Sequence, residues 1–107
     1  MRTIALIGAI LILPLPEVTG NAYAAKVGQR CGGPAGITCD QGLWCDALPG
    51  KCGAADISGK CIKVPQPQAC TAVKIVRQVC GCDGSTYSNN CERQSKMVAL
   101  KSIGRCK

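Results

Sequence analysis

Ten cysteines and no histidine set the chemistry open to this chain of 107 residues. The cysteines are Cys31, Cys39, Cys45, Cys52, Cys61, Cys70, Cys80, Cys82, Cys91 and Cys106. Thiols so placed either ligate a metal or oxidise to disulfides. Zinc sites pair their thiolates as Cys-x-x-Cys, often with histidine, and neither is present here. No metal and no other cofactor is therefore expected. The ten instead form up to five disulfides, each stabilising by about 2–4 kcal/mol through restriction of the unfolded chain. The missing histidine also removes the Ser–His and Cys–His pairs that activate a nucleophile. Beyond residue 24 the only acids are Asp40, Asp46, Asp56, Asp83 and Glu92. The last two have local structural uses, in a turn and at a helix start, so the chain does not read as an enzyme.

Disulfides need an oxidising compartment, and the start of the chain supplies a route to one. Met1-Arg2-Thr3 is followed by an unbroken apolar run from Ile4 to Leu13, then Pro14 and Pro16, then Ala22-Tyr23-Ala24. A basic start, a short apolar stretch and a small-x-small site form a cleavable export signal, residues 1–24, cut after Ala24. The apolar run is about half the roughly 20 residues a spanning helix needs, so no membrane anchor is expected. The implied location is secreted or periplasmic.

The chain beyond residue 24 is small and poor in core-forming side chains. It has no Phe, and its only aromatic residues are Trp44 and Tyr87. Chains this short depend on staples in place of a large core. Trp44 is expected to be buried rather than offered as a binding residue.

The elements that position the cysteines differ between the two halves. Residues 25–60 form a cysteine-rich module broken by Gly32-Gly33-Pro34, Asp40-Gln41-Gly42 and Pro49-Gly50, which predicts loops and very short strands. Its four cysteines allow three pairings. Cys31–Cys45 with Cys39–Cys52 is the expected one. Residues 61–107 carry the other six. Asp83-Gly84 makes a turn between Gln78-Val79-Cys80-Gly81 and Ser85-Thr86-Tyr87-Ser88, predicting a hairpin. Asn89 with Glu92 three residues on suggests a capped helix start. The absence of glycine and proline from Cys91 to about Lys101 extends that helix expectation to Lys101. Gly104 then lets the chain turn so that Cys106 ties the terminus back.

The second half has eight basic residues against two acids, a net charge of +6. No dense basic run occurs, so the charge reads as solubility rather than as a lipid or polysaccharide site. An exported chain with so few aromatics is not expected to bind nucleic acid.

Val79-Cys80-Gly81-Cys82-Asp83-Gly84-Ser85-Thr86-Tyr87-Ser88-Asn89-Asn90-Cys91, with Cys106 fifteen residues further on, resembles the Kazal-type serine protease inhibitor domain. The familiar pattern there is Val-Cys-Gly-x-Asp-Gly-x-Thr-Tyr-x-Asn-x-Cys. The resemblance implies a small disulfide-rich α+β fold for residues 61–107, a short antiparallel sheet packed on one helix. It implies a partner too, a serine protease, held by a rigid substrate-like loop between Cys70 and Cys80. Counting two residues from the first of these cysteines makes Ala72 the specificity residue, with Ala72-Val73 the presented bond and an elastase-like target. Counting back six from the second makes it Lys74, with Lys74-Ile75 presented to a trypsin-like target. The two counts disagree because the loop is two residues longer than the common form. Lys74 is the preferred choice.

The resemblance also casts Asn89 as a brace for the loop backbone, in competition with the capping role above, and bracing is preferred. Val76 and Gln78 replace the family's usual Tyr and Pro. Cys82 replaces the cysteine usually found just inside the helix, as in non-classical Cys-Gly-Cys variants. Pairing by substitution then gives Cys61–Cys82, Cys70–Cys91 and Cys80–Cys106. The first half more loosely resembles the cysteine-rich N-terminal modules of insulin-like growth factor-binding proteins. The expectation is thus a monomeric, exported inhibitor of a serine protease, the alternative being a non-inhibitory extracellular protein-binding module.

Overall fold

A computed structural model of the chain describes residues 24–72 and 76–107. The expected leader up to residue 23 lies outside the described residues, as do Val73, Lys74 and Ile75. Two three-stranded antiparallel sheets follow one another along the chain. The first contains β1 (Arg30–Gly32), β2 (Leu43–Ala47) and β3 (Ser58–Lys63), in the order β1-β3-β2. After a short helix α1 (Pro67–Thr71), the second contains β4 (Val79–Gly81), β5 (Thr86–Tyr87) and, beyond helix α2 (Asn90–Ser95), β6 (Leu100–Ile103). Its order is β5-β4-β6. This is the small disulfide-rich α+β class expected from the sequence.

The first sheet is organised by sulfur. Cys31 lies opposite Gly59, and Cys45 opposite Cys61. Directly opposed residues share a face, so these cysteines all project to one side of the sheet. Ala25 carries Cys39 to the same side through a parallel bridge, its N–H donating to Thr38 O at 2.8 Å while Asp40 N–H donates to Ala25 O at 2.7 Å. Cys31–Cys45 and Cys39–Cys61 therefore close against each other. Ala25, Cys31 and Cys61 are buried, with Ile37 and Leu43 packed around them. The other face carries Arg30, Lys60 and Asp46 in one row, with Trp44 opposite Ile62. Trp44 is half-buried there, less enclosed than expected.

Two of the expected pairings are replaced. Cys39 joins Cys61 and not Cys52, and Cys82 joins Cys52 and not Cys61. The reason is β3. It runs across residues 60 and 61 as one strand, so Cys61 belongs to the first sheet and faces Cys39. The segment after β2 leaves that sheet: Gly50 N–H donates to Leu100 O at 3.0 Å, which carries Cys52 to the second sheet and Cys82. Cys31–Cys45, Cys70–Cys91 and Cys80–Cys106 form as expected. In chain order each of the five bridges opens before the preceding one has closed, so all five interlock.

The hairpin forms where expected. Gly84 takes φ +83, a left-handed conformation that favours glycine, and its N–H donates to Gly81 O at 2.9 Å. Gly81 is needed for a different reason. A Cβ there would stand 2.8 Å from Val98 Cγ1 and 2.9 Å from Tyr87 Cε2, so its absence lets both side chains close over β4.

Helix α2 stops at Ser95, six residues short of the expected Lys101. Lys96 N–H turns back to Arg93 O, and Met97 takes φ +54, a left-handed step made without glycine. The turn frees Leu100–Ile103 to pair with β4 as β6. Pairing there buries Leu100 and leads Cys106 back to Cys80. Helix α1 is an addition to the expected elements. Pro67 at its first turn, where no intrahelical N–H partner exists, suits a helix start.

Candidate functional site

The segment from Cys70 to Cys80 holds the candidate reactive residues, and its two shoulders are fixed in different ways. At the N-terminal shoulder, α1 ends at Thr71 and buried Cys70 is bridged to Cys91 in the first turn of α2. Ala72 is exposed, at the C-cap, with φ −76° and ψ −13°, a helical conformation. At the C-terminal shoulder, Arg77 N–H donates to Ser88 O at 2.9 Å. Val79 then enters β4 opposite Tyr87 and is buried. Between these fixed points Val76 is 71% exposed, an apolar side chain offered to solvent.

Both shoulders thus rest on the chain around the start of α2. That start is well capped. Glu92 N–H donates to Asn89 Oδ1 at 2.8 Å, and Glu92 Oε1 in turn accepts from Ser88 N–H at 2.9 Å. The exchange resembles a capping box shifted back by one residue on the glutamate side. The carbonyl oxygen of the Asn89 side chain is therefore engaged in the cap. A brace from Asn89 to Val73, Lys74 or Ile75 lies outside the described residues.

The hairpin tip adds a second fixed unit. Tyr87 Oη donates to Asp83 Oδ2 at 2.6 Å, and Ser85 N–H donates to Asp83 Oδ1 at 3.0 Å. These bonds favour the ionised carboxyl and hold Asp83 below its ordinary value of 3.8, the tyrosine contact contributing most. The same contact raises Tyr87 above 10.0, because losing its proton would remove the bond and set two negative charges together. Asp83 is a turn residue, as the sequence suggested.

The largest departure from sequence reasoning is Arg93. Its side chain on α2 is only 2% exposed. Nη1 and Nη2 donate to the two oxygens of Asp46 on β2 at 2.9 and 3.0 Å, a bidentate pair between the two halves of the molecule. Nη1 also donates to Val98 O at 2.6 Å, and Nε to Asn90 Oδ1 at 2.9 Å. Gln94 Nε2 adds a further bond to Asp46 Oδ2 at 2.9 Å. A cleft of about 530 Å³ lies beside this contact, lined among others by Arg30, Lys60 and Leu48. The sequence held one clue: Asp46 is an acid placed within the strand Leu43–Ala47 beside Trp44 and Cys45.

Three sulfurs, of Cys31, Cys39 and Cys61, lie within 4.8 Å of one another, close enough to suggest a metal cluster. All three are in disulfides and offer no thiolate. Their proximity records two bridges packed together.

Residues 61–106 match the family model of the Kazal-type serine protease inhibitor domain. The match begins at Cys61 on β3 and ends at Cys106, so it contains the loop, the hairpin and α2. A comparison with curated proteins found no match to the chain. The Kazal-type match begins on a residue whose disulfide partner, Cys39, lies outside it. The matched segment is therefore tied to the preceding residues by Cys39–Cys61, Cys52–Cys82 and the Arg93–Asp46 pair. Of the candidate reactive residues, Ala72 is placed at the end of α1, whereas Val73, Lys74 and Ile75 lie outside the described residues. Among the described residues no helix is long and apolar enough to cross a membrane.

Proposed function

We propose that the protein is an exported inhibitor of serine endopeptidases that presents the Lys74–Ile75 bond of its Cys70–Cys80 loop to a trypsin-like enzyme. The observation that carries this reading is the anchoring of both loop shoulders to one capped helix start, by Cys70–Cys91 and by the Arg77–Ser88 bond. A loop held at both ends loses little conformational freedom on entering a protease cleft, which is how small interfaces of this kind become tight. The choice of Lys74 over Ala72 is supported by the conformation of Ala72. A scissile residue lies extended in a protease cleft, and Ala72 is taken into the end of α1 with ψ −13°. Ala72 at that helix end favours the count from Cys80. Export is supported by the basic and apolar leader and by five disulfides with no free cysteine.

The test is inhibition of trypsin and of elastase by the oxidised, exported protein, beside its Lys74→Ala variant. Trypsin inhibition lost in the variant is the expected result. Elastase inhibition that survives the substitution would transfer the assignment to Ala72. Cleavage of the loop without inhibition of either enzyme would overturn the inhibitory reading and leave extracellular protein binding as the function.

A further inference from the structure

We propose that Asp46, in the first sheet, is a positioning residue for the two loop shoulders, Cys70 and Arg77, acting through Arg93 and helix α2. As a statement about inhibition it rests on the function proposed above. As a statement about the shoulders it does not.

From Thr71 to Val79 the sequence contains no proline. The two shoulders, Cys70 and Arg77, both depend on where the start of α2 sits. That helix has six residues, far fewer than an isolated helix needs to persist in water. Its cap sets its first turn but does not fix it against the rest of the molecule. Arg93 does. The buried guanidinium spans Asp46 on β2 and Val98 beyond the helix, and Asp46 also holds Gln94, so one carboxylate grips two consecutive helical residues. Among the described residues no other acid pairs with Arg93. A buried cation with a single counter-ion has one favourable seat, and taking that ion away leaves it uncompensated. The continuous path is Asp46, Arg93, the first turn of α2, then Cys91 to Cys70 on one side and Ser88 to Arg77 on the other.

Asp46→Asn keeps the shape and removes the charge. Amide hydrogen exchange in the oxidised protein reads its effect at Arg77, whose N–H bonds Ser88 O, and at Gly28, whose N–H bonds Cys61 O within the first half. The expected result is exchange at Arg77 faster by about tenfold or more, with Gly28 unchanged. Cleavage of the loop by trypsin should quicken in parallel, and Asp46→Glu should recover part of the protection. Equal acceleration at both amides would show general loosening and overturn the proposal, as would no change at Arg77. Should Asp46→Asn fail to fold, Gln94→Ala removes one of the two grips, and acceleration confined to Arg77 is again required. If the unsubstituted protein inhibits nothing, the inhibitory reading falls, and the exchange comparison still decides the positioning role.

Discussion

The first half of the molecule closes its core with Ala25 and two disulfides packed face to face. The second surrounds Val79, Cys80 and Leu100 with a hairpin, a short helix and a buried arginine. The difference lies in what each core needs from outside. Disulfides are neutral and satisfied, so the first core asks for nothing from its neighbour. The second contains a guanidinium whose counter-ion stands on the first sheet. The two halves are unequal partners: the second half is completed electrically by the half before it.

The largest effect expected from breaking that asymmetry is in Asp46→Ala. It leaves Arg93 buried and unpaired, and denaturant unfolding with the disulfides intact should show a loss of about 3–5 kcal/mol. Removing one of the two covalent ties by replacing both Cys52 and Cys82 with serine frees a bridge with a sequence separation of 30. It should cost about 2–4 kcal/mol in the same assay. If the first half is the self-sufficient one, the amide of Gly28 should keep its protection in that double variant while Arg77 loses it. Asn89→Ala removes the cap of α2, and a loss of about 1 kcal/mol, measured as a lowered unfolding midpoint, is expected. The smallest effect is on pH dependence. Asp83 is depressed in the fold, so its contribution is present above 3.8 and lost as pH falls through its lower folded value. Tyr87 is raised, so its contribution is complete below 10.0 and lost as pH rises through its higher folded value. Replacing Tyr87 with Phe should flatten both limbs of the stability profile.

Much of the second half is legible in the sequence because its signals are local. Asp83-Gly84 declares a turn, and Asn89 with Glu92 declares a helix start, each within four residues. The helix end is not legible, since Met97 makes a left-handed step that its side chain gives no reason to expect. The bridges of Cys39 and Cys52 escape a sequence reading because a division placed at residue 60 cuts β3 in two. A strand of six residues crossing a composition boundary leaves little trace in the turn signals on either side. Arg93 counts in sequence among the solvated charges, because burial of a cation depends on an acid 47 positions away. The candidate bond itself comes from counting, and Lys74 and Ile75 lie outside the described residues.

The interlocking of the bridges has a consequence for biogenesis. In chain order Cys31 and Cys39 both precede Cys45, which takes the earlier of the two. Cys61 then takes Cys39 while Cys52 waits, Cys82 takes Cys52 while Cys70 and Cys80 wait, and Cys91 takes Cys70 before Cys106 takes Cys80. The native map is a queue: each thiol that closes a bridge joins the one that has been free longest. Random oxidation favours the opposite, the nearest thiol, because the shorter loop is easier to close. An early nearest-neighbour pair joins cysteines that are both needed elsewhere, and thiol–disulfide exchange is the chemistry that corrects it.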